Sequence, residues 1–139
     1  MNIAARLGAG QLALAYAAAL VAILVLDGLW LGFVAKDLYR REMGGLMAEQ
    51  VRVVPIIAFY LLYPLALVYL TLFSAPSGWG EAIVRGAVLG LAAYGAYDLT
   101  NLAIVRDWPL RISLIDWAWG GVISTAAVAS GYAASWARA

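Results

Sequence analysis

Four long apolar stretches, residues 10–35, 53–73, 82–101 and 112–136, take up most of this 139-residue chain and decide what it can become. Each matches or exceeds the ~20 residues that a helix needs to cross the hydrocarbon core of a bilayer. A soluble domain of this length lacks the polar surface to cover so much hydrocarbon. With lipid outside, every stretch must satisfy its own backbone hydrogen bonds, which requires helices rather than open strands. The first stretch is too long for a signal peptide and lacks a small-residue cleavage site after a short apolar run. The expected fold is therefore all-α: a polytopic membrane protein, one domain over residues 1–139, with four transmembrane helices in an antiparallel bundle.

Composition narrows the chemistry. The chain is 65% hydrophobic and only 12% charged, with a mean hydropathy of +0.88. Nine basic residues against eight acidic ones leave a net charge of +1, which argues for no nucleic-acid partner. The absence of cysteine and histidine removes disulfides, thiol chemistry, histidine-ligated haem and ordinary zinc sites. No metal centre is expected, and no cofactor can be named. Any catalysis would fall to Asp, Glu, Tyr, Ser, Thr, Lys or Arg.

Residues 36–52 form the one long polar interval. Leu38, Tyr39, Leu46, Met47 and Val51 alternate there with Lys36, Arg40, Arg41, Glu42 and Arg52. Two readings stand: an interfacial segment in which the first helix continues outward and breaks at Gly44-Gly45, or a solvated loop. Pro55 suits the first turn of the second helix, whereas Pro64 lies inside it and frees the Tyr60 carbonyl, where a kink is expected. The first and third connections hold six basic residues (Lys36, Arg40, Arg41, Arg52, Arg106, Arg111) against three elsewhere (Arg6, Arg85, Arg138). By the positive-inside rule those connections face the cytoplasm and both termini lie outside, as in a multi-pass protein of a bacterial inner membrane. Arg85 is muted by Glu81 one turn earlier. Trp79, Tyr132 and Trp136 then mark the outer interface, and Trp30, Trp108 and Trp117 the inner one.

Three acids, Asp27, Asp98 and Asp116, fall near the cytoplasmic ends of their helices on this frame. An aspartate deep in a bilayer costs roughly 2.5–3.5 kcal/mol, so each should face the bundle interior and find a donor. Spacing supports that placement. Gly86, Gly90, Tyr94 and Asp98 form one ridge that continues to Asn101, and Asp116, Gly120, Ser124, Ala127 and Gly131 form another. Such small-residue faces let backbones approach closely. Ser113-x-x-Asp116 reads equally well as the start of a capping box. Asp98, at the unfavourable end of the helix dipole, requires a partner such as Arg106, Arg111 or a Tyr or Trp donor. Asp27 has no basic residue within two turns, and Tyr60 and Tyr63 lie within its reach. The expectation is a pocket shared by Asp27 and Asp98, with Trp30, Tyr94 and Asn101 lining it. Both Asp27 and Asp116 precede a Trp by three residues (Trp30 and Trp119), either the trace of an inverted repeat or coincidence in a Trp-rich chain.

Asp27-x-x-Trp30-x-Gly32, Phe59-Tyr60-x-Leu62-Tyr63, Tyr97-Asp98-Leu99-Thr100-Asn101, Trp108-Pro109 and Asp116-x-x-Trp119-Gly120 together run through nearly the whole chain. The set resembles a family of small bacterial membrane proteins known only as a domain of unknown function. The resemblance implies a four-helix inner-membrane protein and supplies no activity.

Three function classes follow from these residues. In the first, a binding or transport protein, Asp27, Trp30, Tyr60, Tyr63, Tyr94, Asp98, Asn101, Asp116 and Trp119 hold a small cationic or lipidic ligand. The second is an intramembrane enzyme acting on a lipid headgroup or isoprenoid, with acids holding Mg²⁺. The third is an accessory subunit, or a homo-oligomer, whose glycine ridges and tryptophans dock another membrane protein.

Overall fold

The computed structural model describes residues 5–136, so Arg138 lies outside the described residues. Helix α1 (Ala9–Leu29) loosens into a π-helical turn (Trp30–Val34), and the two together make a first span of 26 residues. After a break at Ala35 come a short helix, α2 (Lys36–Met43), and a 3₁₀ turn (Gly44–Leu46). The remaining spans are α3 (Val53–Leu72), α4 (Trp79–Ile104) and α5 (Leu110–Ser135). The protein is all-α, with four helices long and apolar enough to cross a membrane.

The polar interval thus divides between the two readings of it. Its first part is helical, and Gly44, at φ +48°, ends that helix where a residue with a side chain would be strained. Residues 47–52 carry no helix. At the other turn of the same end, Asp107 adopts φ +59°, which a short polar side chain tolerates, and Pro109 then caps the start of α5.

Helix α5 is the centre of the bundle. It packs most closely on α4 and α1, and also meets α3 and α2. Small residues make this possible. A Cβ on Gly90 would stand 2.5 Å from the Gly120 carbonyl and from Ser124, and one on Gly86 would stand 3.0 Å from Val128. The ring of Tyr94 sits so close over Gly120 that a Cβ there would fall 2.0 Å from it. On the opposite side Gly131 abuts Leu72 and the Ala15 carbonyl. Both sequence ridges are therefore packing faces, while Phe33, Val54, Leu62, Val88 and Ile104 remain exposed and face lipid.

The two ends of the bundle differ. At the end that holds the α3–α4 connection, Arg6 pairs with Ser74 as an isolated antiparallel bridge. Arg85 donates to the Thr71 and Ser74 carbonyls, each at 2.8 Å, and so satisfies the open end of α3. Glu81 accepts the Ser77 N–H at 2.6 Å and pairs with Arg85. Trp136 closes this end by donating to the Leu72 carbonyl at 2.9 Å. Apart from the Arg6–Ser74 bridge and the Glu81–Arg85 pair, these bonds run between side chain and backbone. At the α2 end a network of bonds between side chains forms, and that is where the three buried or half-buried aspartates of the spans lie.

Candidate functional site

Asp27 is buried, 7% exposed, on the last full turn of α1. Its two carboxylate oxygens are held separately: Tyr60 on α3 donates to Oδ2 at 2.7 Å, and the Trp119 indole on α5 donates to Oδ1 at 2.8 Å. Neutral donors stabilise the carboxylate without cancelling its charge. The Trp119 ring stacks on Trp30, centroids 4.4 Å apart and planes 9° from parallel. Trp30 in turn points its N–H toward the Tyr39 hydroxyl at 3.4 Å, and Tyr39 donates to Asp116 at 2.5 Å. The two Asp-x-x-Trp pairs thus interlock. Trp119 serves Asp27 directly, and Trp30 serves Asp116 through Tyr39.

The π-helical turn explains how Tyr39 arrives there. Its wider winding and the break at Ala35 let α2 leave the axis of α1 and fold back onto the start of α5. Burial, and then the hydrogen bond to Asp116, push the Tyr39 phenol far above its ordinary value of 10.0. At neutral pH it is a protonated donor to Asp116.

A cavity of about 350 Å³ opens beside this network, lined by Asp27, Leu31, Phe59, Tyr60, Tyr63, Ala93, Tyr94, Tyr97 and Asp116. It lies in the cleft between α3 and α4, neighbouring spans that touch each other little. Phe59 and Tyr97, both about half exposed, stand on its rim. Phe59 stacks on Tyr63 with centroids 5.1 Å apart, and Tyr63 bonds Ser124 on α5 at 2.6 Å, which fixes that wall. Two carboxylates and five aromatic rings line the cavity, with no lysine or arginine among them.

A second, smaller cavity of about 70 Å³ lies behind the first, lined by Tyr39, Met43, Tyr97, Asp98, Trp108, Ile112 and Asp116. Asp98 is 2% exposed and its Oδ2 has no hydrogen-bond partner; nor does the Trp108 indole N–H. The Asp98 carboxyl meets that of Asp116. Asp116 and Tyr97 belong to both cavities.

Several expectations change. Asp27 shares its pocket with Asp116, not Asp98, because α5 lies between α1 and α4 and presents its own acid to both. Asp27 is not short of partners, since a donor 92 positions away along the chain completes its shell. Asp116 is no cap: α5 starts at Leu110, which places Asp116 in the second turn, and Ser113 donates back to the Pro109 carbonyl at 2.6 Å. Asp98 takes neither Arg106 nor Arg111 as a partner; Arg111 is turned toward Glu42, 3.9 Å away. Tyr60 reaches Asp27, whereas Tyr63 bonds Ser124. Tyr94 lines the pocket, Trp30 and Trp119 buttress it, and Asn101 lines neither cavity. The three acids do not form a single cluster able to hold a metal among the described residues.

Lining residues outside the expected set include the aromatic side chains Phe59, Tyr97 and Trp108, the phenol Tyr39, and the apolar Leu31, Ala93, Met43 and Ile112. Phe59 lies one turn before Tyr63, and Tyr97 three residues after Tyr94, so extending the helical faces already identified would have found both. Tyr39 had no such signal beyond an aromatic ring on an interfacial segment.

A family model described as "Predicted membrane protein (DUF2177)" matches residues 12–133. No curated protein and no solved structure matches the chain.

Proposed function

Since the chain belongs to the DUF2177 family of predicted membrane proteins, a family of unknown function, we propose its role from the site: a binding or transport protein for an amphiphilic organic cation. The observation that carries this reading is the larger cavity, where Asp27 and Asp116 face hydrocarbon and aromatic walls with no basic side chain beside them. Negative charge in a water-poor site attracts a cation more strongly than it would in water. The rings of Phe59, Tyr63, Tyr94 and Tyr97 add cation–π attraction of about 0.5–2 kcal/mol for each ring the cation faces. The apolar lining suits the body of the ligand, and the α3–α4 cleft gives it a lateral path from lipid. With six basic residues flanking the α2 end, the pocket belongs to the cytoplasmic half of an inner-membrane protein whose termini lie outside.

Tetraphenylphosphonium titrated into the purified protein in nanodiscs, followed by tryptophan fluorescence, tests the reading, with neutral triphenylphosphine oxide as the shape control. The cation should bind at least roughly tenfold tighter than the neutral compound, as expected for a charge in a low-dielectric pocket. Asp27→Asn should erase that preference, and Tyr97→Leu on the rim should weaken the cation alone. Equal binding of both compounds, or an unchanged preference in Asp27→Asn, would overturn the proposal.

A further inference from the structure

The smaller cavity holds both a bare acceptor and a bare donor: the Asp98 Oδ2 and the Trp108 indole N–H, each buried and unpartnered. A metal ion or an ammonium would satisfy the acceptor and be repelled by the N–H. A molecule that both donates and accepts fits both, and that molecule is water. The space of about 70 Å³ is ample, since one water needs only ~10–15 Å³ of such volume and two or more polar partners.

Asp98 also meets a second carboxyl, that of Asp116, in a setting with little to neutralise either. The groups facing them are Tyr39 from α2, Tyr97 from α4 itself and the Trp108 ring from the α4–α5 connection. Tyr39 supplies one hydrogen bond, to Asp116. The nearest basic residue along α5, Arg111, is 72% exposed and turned toward Glu42. Two carboxylates in contact repel unless a proton lies between them.

We propose that the smaller cavity is a proton-binding site, in which Asp98 and Asp116 share one proton delivered by water ordered between Asp98 and Trp108. In the loading step an O–H bond of a hydronium breaks and a carboxyl O–H forms. The hydronium reverts to water, and the new O–H donates to the facing carboxylate. Asp116 is a wall of both cavities, so the loaded proton reduces the negative charge seen from the larger one. On the reading of that pocket as a cation site, on which this coupling alone rests, proton and cation compete through Asp116.

Infrared difference spectroscopy of the purified protein across a pH titration, with no cation present, is the test. The wild type should show a protonated-carboxyl band that disappears on alkalinisation and shifts in D₂O. Asp98→Asn should remove it. Trp108→Phe, which deletes only the N–H and leaves the carboxyls in place, should move its frequency and serves equally if Asp98→Asn fails to assemble. A wild type without such a band, or a band that survives Asp98→Asn unchanged, would overturn the proposal. Tetraphenylphosphonium affinity measured over the same range should fall with acidification in the wild type and stay flat in Asp98→Asn. A proton band without that competition would sever the link between the cavities and leave the proton site standing.

Discussion

Trp119 donates its indole N–H to the Asp27 carboxylate at 2.8 Å while its ring lies flat against Trp30. One side chain thereby satisfies a buried acid on α1 and joins the first span to the last. The two roles are separable. Trp119→Phe keeps much of the stacking area and deletes the donor, leaving one oxygen of a buried carboxylate bare. The expected cost is about 1–3 kcal/mol, read as a lower unfolding temperature in detergent, and a stability equal to wild type would show that water replaces the indole.

The same geometry decides how the site responds to loss of the acid. An asparagine at position 27 has one oxygen for two donors: with that oxygen kept on the Trp119 indole, which can only donate, its NH₂ faces Tyr60, whose hydroxyl must give up its donation and accept instead. Asp27→Asn should therefore lose stability, not gain it, by about 1–3 kcal/mol. Tyr60→Phe combined with Asp27→Asn should lose less than the sum of the two single variants, because both changes act on the same hydrogen bond. Additive losses in the double variant would contradict this account.

Glycines on α1 and on the α4–α5 contact should respond in opposite ways to alanine. A Cβ on Gly90 or Gly120 would meet its neighbours at 2.5 Å and 2.0 Å, whereas one on Gly28 or Gly32 meets nothing within 4 Å. Gly90→Ala and Gly120→Ala should each destabilise by roughly 1–3 kcal/mol through overpacking. Gly90→Leu should be worse, and far more damaging than Leu89→Ala. Gly28→Ala should be neutral or gain about 0.5–1 kcal/mol from helix propensity. Indistinguishable melting of the Gly28 and Gly90 variants would mean that the α4–α5 contact is not formed.

Tyr39 makes stability fall in alkali. Its folded pKa lies above the ordinary 10.0, so folded and unfolded states bind the same protons below pH 10. Above it the unfolded chain gives up a proton that the folded protein retains, and stability declines as pH rises. Tyr39→Phe should lower stability at neutral pH through the lost bond to Asp116 and make the decline above pH 10 shallower. An identical alkaline slope in the variant would show that Tyr39 ionises freely.

Orientation is checked by reporters. Both termini are expected outside the cytoplasm, so a C-terminal fusion to a phosphatase active only outside should be active, and a fusion after Met43 silent. The reverse pattern would invert the bundle.

The spans were legible because hydropathy and length leave a membrane helix little choice, and the glycine ridges because a period of about 3.6 residues places them on one face. The partner of Asp27 was not legible. Which acid faces which cavity depends on the rotation of each helix, and a single residue turns a side chain by about 100° around the axis. The Asp98–Asp116 contact required knowing that α5 sits in the middle. Tyr39 required the π-helical turn, whose first residue, Trp30, stacks on a ring 89 positions later, a contact that no local pattern announces.

Chain order gives the Asp27 shell a history. During synthesis the first span enters the membrane before the last has been made. Tyr60 arrives with the second long helix, 33 residues on, but Trp119 comes 92 residues later, as the final span is threaded. For that interval α1 carries a half-coordinated acid in the membrane, and α3 is its one long-helix neighbour in place. A chain that ends between α4 and α5 keeps Tyr60 and lacks Trp119 as a donor to Asp27. The late tryptophan thus closes the shell of the acid only once the last helix is in place.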